Sequence, residues 1–225
     1  GDPATRAFCL QVQAVTACYT GEFDKAVDLI ASCHTEFGHW IALGEWCRNI
    51  TNLDVIESLR GRANAAWPWL EQIVERVRRS EGGTPLFSDF LVHRVRAAIA
   101  VSARDIPPTD AWLRTQLGDA AARGLPSDGQ HRTMSWAPLL RVHLEERDFG
   151  PAFERLVADF EAQRYKPRFT HPIMHEYYIV LGHVRVEQLL AAPTSERPRY
   201  RRLLGSALDD LRAAVRLPLF VAHRG

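Results

Sequence analysis

The apolar positions of this chain recur at three- and four-residue intervals almost throughout, the spacing that gathers side chains on one face of an α-helix. Leu10, Ala14 and Ala17 share such a face, and after Gly21 the stripe resumes as Phe23, Ala26, Ile30 and Cys33. A new set starts in WIALGEWC, residues 40–47, and Asn49 to Asn52 breaks it before Leu53 to Ala66 opens another helix. Pro68 lacks the interior N–H, so it is expected to kink or restart that helix, with Trp69, Ile73 and Val77 carrying the stripe to Arg79. A helix capped by Ser88 is predicted to run to Ala103, with Phe90, Leu91, Val95, Ala98 and Ile99 inward. Another, capped by Thr109, spans 110–123 and ends at Gly124.

Trp136 to Tyr165 reads as two short helices joined by a tight turn at Arg147 and Phe149. Trp136, Leu139, Leu140 and His143 stripe the first, and Ala152, Leu156 and Phe160 the second. A long helix follows from about Pro172, and Tyr200 to Leu217 closes the chain's regular structure, with Ala207, Leu211 and Ala214 on one face. β-Branched residues never alternate over a strand-length run. The expectation is an all-α protein of about ten helices.

The helix–turn–helix spacing resembles the tetratricopeptide pattern, W-x2-L-G-x2-Y followed by A-x3-F. Trp136, Leu139, Phe149, Ala152 and Leu156 fall at matching positions, while Leu140 and His143 replace the usual Gly and Tyr. Residues 40–47 give W-x2-L-G-x2-C, GEFDKAVDLI gives the turn and second helix, and Tyr178, Leu181 and Gly182 repeat the aromatic-x2-L-G motif. The resemblance covers about half the chain. It implies an irregular solenoid of antiparallel helix pairs forming one domain over residues 1–225, with a candidate internal division at 80–84. It further implies that Trp40, Trp136 and Tyr178 are core aromatics and that first helices line a concave surface. Transferred position by position, the lining is Gln11, Glu45, Arg48, Asn49, Arg141, Glu145, Glu176, His183 and Glu187. Such a mixed-charge lining suits a protein or peptide segment held by polar contacts around apolar pockets. Repeats of this irregular kind resemble those appended to bacterial signalling and regulatory proteins, so a non-enzymatic scaffold within a larger cytoplasmic protein is expected, without a cofactor.

Composition changes this picture little. The 225 residues are 46% hydrophobic and 24% charged, ordinary for a globular chain. Twenty-eight basic residues against 27 acidic ones leave a net charge of +1, which gives no argument for nucleic acid or membrane. No apolar run approaches the roughly 18 residues needed to span a bilayer. Cys9, Cys18, Cys33 and Cys47 contain no C-x2-C pair, so they read as small buried residues rather than zinc ligands. The run RPRYRR, Arg197 to Arg202, combines charge with an aromatic as nucleic-acid patches do, but a solvated first helical turn explains it as simply.

Histidine supplies the one competing chemistry. His171 and His175 are four residues apart, a spacing that lets two imidazoles on one helix share a metal ion. The alternative function is therefore a metal- or ligand-binding helical enzyme domain using those two residues. Pro172 sets His171 at or before the helix start and H-E-x-x-H is absent, so a hydrogen-bonded cluster is the simpler reading and no metal is expected.

Overall fold

The computed structural model describes residues 2–79, 89–102, 110–126, 129–170 and 174–214; within these, no side chain is described at 48, 58, 59, 63, 89–91, 102, 130 or 131. The expected division at 80–84 lies outside the described residues, as do Ser88 and Thr109. Ten α-helices and one short 3-10 turn, with no strand, make up the regular structure of the described residues. They fall into two compact units, residues 1–122 and 123–225.

In the first unit α1 (Pro3–Thr20) and α2 (Phe23–Phe37) form a hairpin. Asp2 caps α1 by accepting from the Thr5 amide at 2.9 Å. Gly21 closes it at φ 84°, a left-handed conformation open to glycine at no steric cost, and its amide donates to the carbonyls of Ala17 and Cys18. A second hairpin pairs α3 (Leu43–Leu59) with α4 (Ala63–Arg79), and α5 (Asp89–Ser102) packs on both. One apolar core joins Cys33, Trp46, Ile50, Leu70, Ile73 and Val95 to Leu113 and Leu117 of α6 (Ala111–Arg123). Asp110 caps α6, accepting from the Leu113 amide at 3.0 Å.

Three local expectations are corrected here. Asn49 to Asn52 does not break the chain: α3 runs through it, and Asn49 and Thr51 are buried within its packed face. Pro68 neither ends nor restarts α4, since it stands on the solvent side and forfeits a single backbone bond. Trp40 is 63% exposed, because α3 starts three residues after it; Trp46 takes the core position instead.

The second unit begins with α7 (Gly129–Glu146) and α8 (Pro151–Ala162), turned at Arg147, whose φ of 54° is left-handed. After the 3-10 turn Pro167–Phe169, α9 (His175–Ala191) packs against α7, and α10 (Arg197–Ala214) packs against α9. Trp136 is buried, edge-on to Phe160 at 5.1 Å, and donates its indole N–H to Asp159 at 3.0 Å. Arg132 pairs with the same carboxylate, so one buried-edge anion ties α7 to α8. Cys18, Cys33 and Cys47 are buried and Cys9 is exposed; all four are free thiols.

Two predictions test this packing. Trp136→Ala removes a large buried aromatic and orphans part of the Asp159 site, so stability should fall by about 3–5 kcal/mol in denaturant titration. A loss below about 1 kcal/mol would refute the buried placement. His34 lies against the edges of Trp46 and Trp69, at 5.0 and 6.0 Å, and neither ring nitrogen has a hydrogen-bond partner among the described residues. Burial and the Arg76 guanidinium lower its pKa from 6.5 to about 4. Because the folded value lies below the unfolded one, its stabilising contribution is complete above 6.5 and disappears as pH falls toward 4. Melting temperature across that window should therefore depend less on pH in His34→Leu than in the wild type, and parallel curves would show an imidazole that titrates normally.

Candidate functional site

Helix α9 presents opposite sides to very different surroundings. His183, Val186, Glu187 and Leu190 follow one another at helical intervals, so they share one face. Val186 is 40% exposed and Leu190 69%, large apolar side chains left in solvent. Alongside, α7 contributes Arg141 and Glu145, an i,i+4 pair with 3.7 Å between guanidinium and carboxylate. Arg147 reaches from the α7–α8 turn to Glu187 at 3.8 Å. The imidazole of His183 is held below its ordinary value, first by partial burial and then by Arg141, against the opposing pull of Glu145 and Glu187. The result is a strip with two bases, two acids, a neutral-leaning histidine and two apolar anchors.

Of the positions expected to line a groove, the structure thus gathers Arg141, Glu145, His183 and Glu187. Glu176 is buried within α9, so it cannot meet a partner on this strip. Gln11, Glu45 and Asn49 belong to the first unit, where Gln11 hydrogen-bonds the Cys33 thiol and Asn49 is buried. The side chain of Arg48 lies outside the described residues. Val186, Leu190 and Arg147 were missed by transferring repeat positions, although the i, i+3, i+4, i+7 run from His183 to Leu190 was available as a signal. His171 lies outside the described residues and His175 is buried. Among the described residues no three His, Cys, Asp or Glu side chains converge where a metal could sit.

Comparison with known proteins assigns the chain to none of them. No family model, curated protein or solved structure matches it. Among the described residues no helix is long and apolar enough to cross a membrane. The basic run at 197–202 opens α10, where Arg197 donates to the Ala192 carbonyl at 3.3 Å and Arg199 lies over the Tyr200 ring.

The strip is held in place from beneath. Arg185, 4% exposed, donates to Glu154 of α8 at 2.8 and 3.3 Å and to the side-chain amide oxygen of Gln188 at 2.7 Å. Gln188 in turn donates to Glu154 at 3.1 Å, and the guanidinium lies over the Phe153 ring. Burial alone would raise the Glu154 pKa, but the bonds from Arg185 and Gln188 reverse it, and the carboxyl sits below its ordinary value. Removing the arginine leaves an anion with poorer partners, although Glu154 keeps some solvent. Arg185→Ala should therefore cost about 2 kcal/mol, the loss of charge-assisted hydrogen bonds rather than the larger penalty of a fully buried orphan charge. Chemical denaturation is the measurement, and Arg185→Met/Glu154→Gln should recover part of the loss; a variant as stable as the wild type would mean that the pair does not pin α8 to α9.

Proposed function

We propose that the second unit is a protein-binding module in which α7–α8 and α9–α10 act as successive helix pairs of the tetratricopeptide type. In this reading a peptide segment of a partner protein docks along the strip between α7 and α9. The observation that carries it is the exposed row of Val186 and Leu190, flanked by charges from two helices that are not adjacent in sequence. Further support comes from the packing order, since α7 neighbours both α8 and α9, as the first helices of stacked pairs do.

The chemistry of the strip specifies the segment. Apolar side chains stranded in water favour an apolar anchor on the ligand, because burying that surface is favourable at roughly 25 cal/mol per Å². Charges of both signs at the rim exchange weak solvated pairs for contacts with the partner, which sets register more than affinity. A short amphipathic segment with one or two large apolar residues between charged ones fits both demands.

A displayed peptide library selected on the wild-type protein, followed by fluorescence-polarisation titration, tests this. Leu190→Glu and Arg147→Glu replace exposed side chains, so each should leave melting nearly unchanged, within about 0.5 kcal/mol. Each should weaken the selected peptides by roughly tenfold or more, as expected when one charge-assisted contact or apolar anchor is lost. Peptides that bind both variants as tightly as the wild type would move the interface elsewhere, and a library yielding no binder would sink the proposal.

A further inference from the structure

The opposite side of α9 faces a half-open cavity of about 160 Å³ between α8, α9, α10 and the 3-10 turn. Its walls are Phe160, Tyr165, Pro167, Tyr177, Tyr178 and Leu181, with the carboxylates of Glu161 and Asp210. Four of the eight lining residues are aromatic, two are acidic, and no basic side chain of the described residues lines it. Phe160 stacks on Tyr177 with centroids 3.6 Å apart, and Tyr178 meets both rings nearly at right angles. The box is therefore rigid, with Tyr165 at the exposed rim.

Two of its polar groups lack the partners that burial normally demands. The Tyr177 side chain is 1% exposed and its hydroxyl has no hydrogen-bond partner among the described residues. Desolvation keeps that hydroxyl protonated, and Glu161, Tyr178 and Asp210 add to the effect. Asp210 is half-buried with no ion pair among the described residues; burial first, and then Asp209, push its pKa upward. Arg212, the nearest base on α10, pairs with Asp209 instead, at 3.2 Å.

We infer that this cavity is a binding site for a small organic cation, an alkylated ammonium group enclosed by the aromatic rings and neutralised by Asp210 and Glu161. Ring faces carry negative charge density, so a methylated ammonium gains attraction from several rings while its methyl groups fill apolar space. Size agrees: an apolar cavity of roughly 150 Å³ takes a molecule as large as benzene. A metal ion fits poorly, because only two carboxylates face the space. An anion would meet like charge on both sides. The inference is independent of the strip on the other side of α9 and stands if that strip binds nothing.

Isothermal titration of the wild-type chain with choline and with its neutral isostere 3,3-dimethylbutan-1-ol is the test. Choline should bind, and the alcohol should bind at least about tenfold more weakly, because shape is shared and only the charge differs. Asp210→Asn should weaken choline by about tenfold, whereas Asp209→Asn, next to it on the same helix, should leave affinity intact. Tyr165→Leu changes a rim residue and gives a second loss if Asp210→Asn fails to fold. Trimethyllysine amide as a third probe separates the sources of the cation: tighter binding than choline assigns the site to a modified side chain, weaker binding to a free small molecule. Equal affinity for choline and the alcohol would reduce the cavity to an apolar hole, and no binding of any ammonium probe would overturn the inference.

Discussion

The second unit depends on the burial of α9. Residues 174–182 are all buried, and Val184, Arg185 and Gln188 extend the buried surface to the helix's C-terminal half. A helix sheltered on so much of its circumference cannot satisfy polar side chains with water, so each must find a protein partner or bear a desolvation cost. Arg185 meets this demand through Glu154 and Gln188, and in doing so fixes the relation of α8 to α9. The indole of Trp136 and the guanidinium of Arg132, both on Asp159, fix α7 to α8 in the same way. Helix–helix geometry here is set by two anions, with apolar packing filling the space between.

The first unit handles buried polarity differently. His34 sits among Trp46, Trp69 and Arg76 with no hydrogen-bond partner among the described residues, and burial first, then the cation beside it, lowers its pKa. Arg76 itself lies 4.6 Å over the Trp46 ring and donates to the Gly38 carbonyl at 3.2 Å. A cation that covers an aromatic face and caps a helix end adds to the burial that disfavours charge on its neighbour. In the second unit Arg185 and Glu154, and Arg132 and Asp159, are matched as opposite charges; half-buried Asp210 is an exception, with no ion pair among the described residues.

That exception coincides with the cavity. Helical geometry places Tyr177, Tyr178 and Leu181 about half a turn of rotation from His183, Val186, Glu187 and Leu190. One helix thus offers a half-open aromatic box on one side and an open, mixed strip on the other. The two differ in the physics of recognition. In the two proposals the half-open box selects by charge and shape, whereas the strip offers apolar area and charges of both signs to an extended partner.

Helix content and most helix positions were legible in the residues themselves, because they follow from local periodicity and caps that act within a turn or two. Gly21 and Gly124 end their helices as read, both at positive φ. Two failures share a cause: Asn49 to Asn52 and Pro68 were judged by intrinsic preference, and tertiary surroundings overrode it. Asn49 is helical because its face is buried, and Trp40 is exposed because the helix starts later than the motif suggests. Arg141, Glu145, His183 and Glu187 were expected together only through the repeat resemblance, and their proximity rests on the packing of α7 on α9. The Arg185–Glu154 pair, 31 residues apart, and the cavity shared by residues from 160 to 210 could not be anticipated from spacing. Local spacing fixes which side chains share a helix face, but only the packing of one helix on another decides which faces meet, and long-range contacts leave no period in the chain.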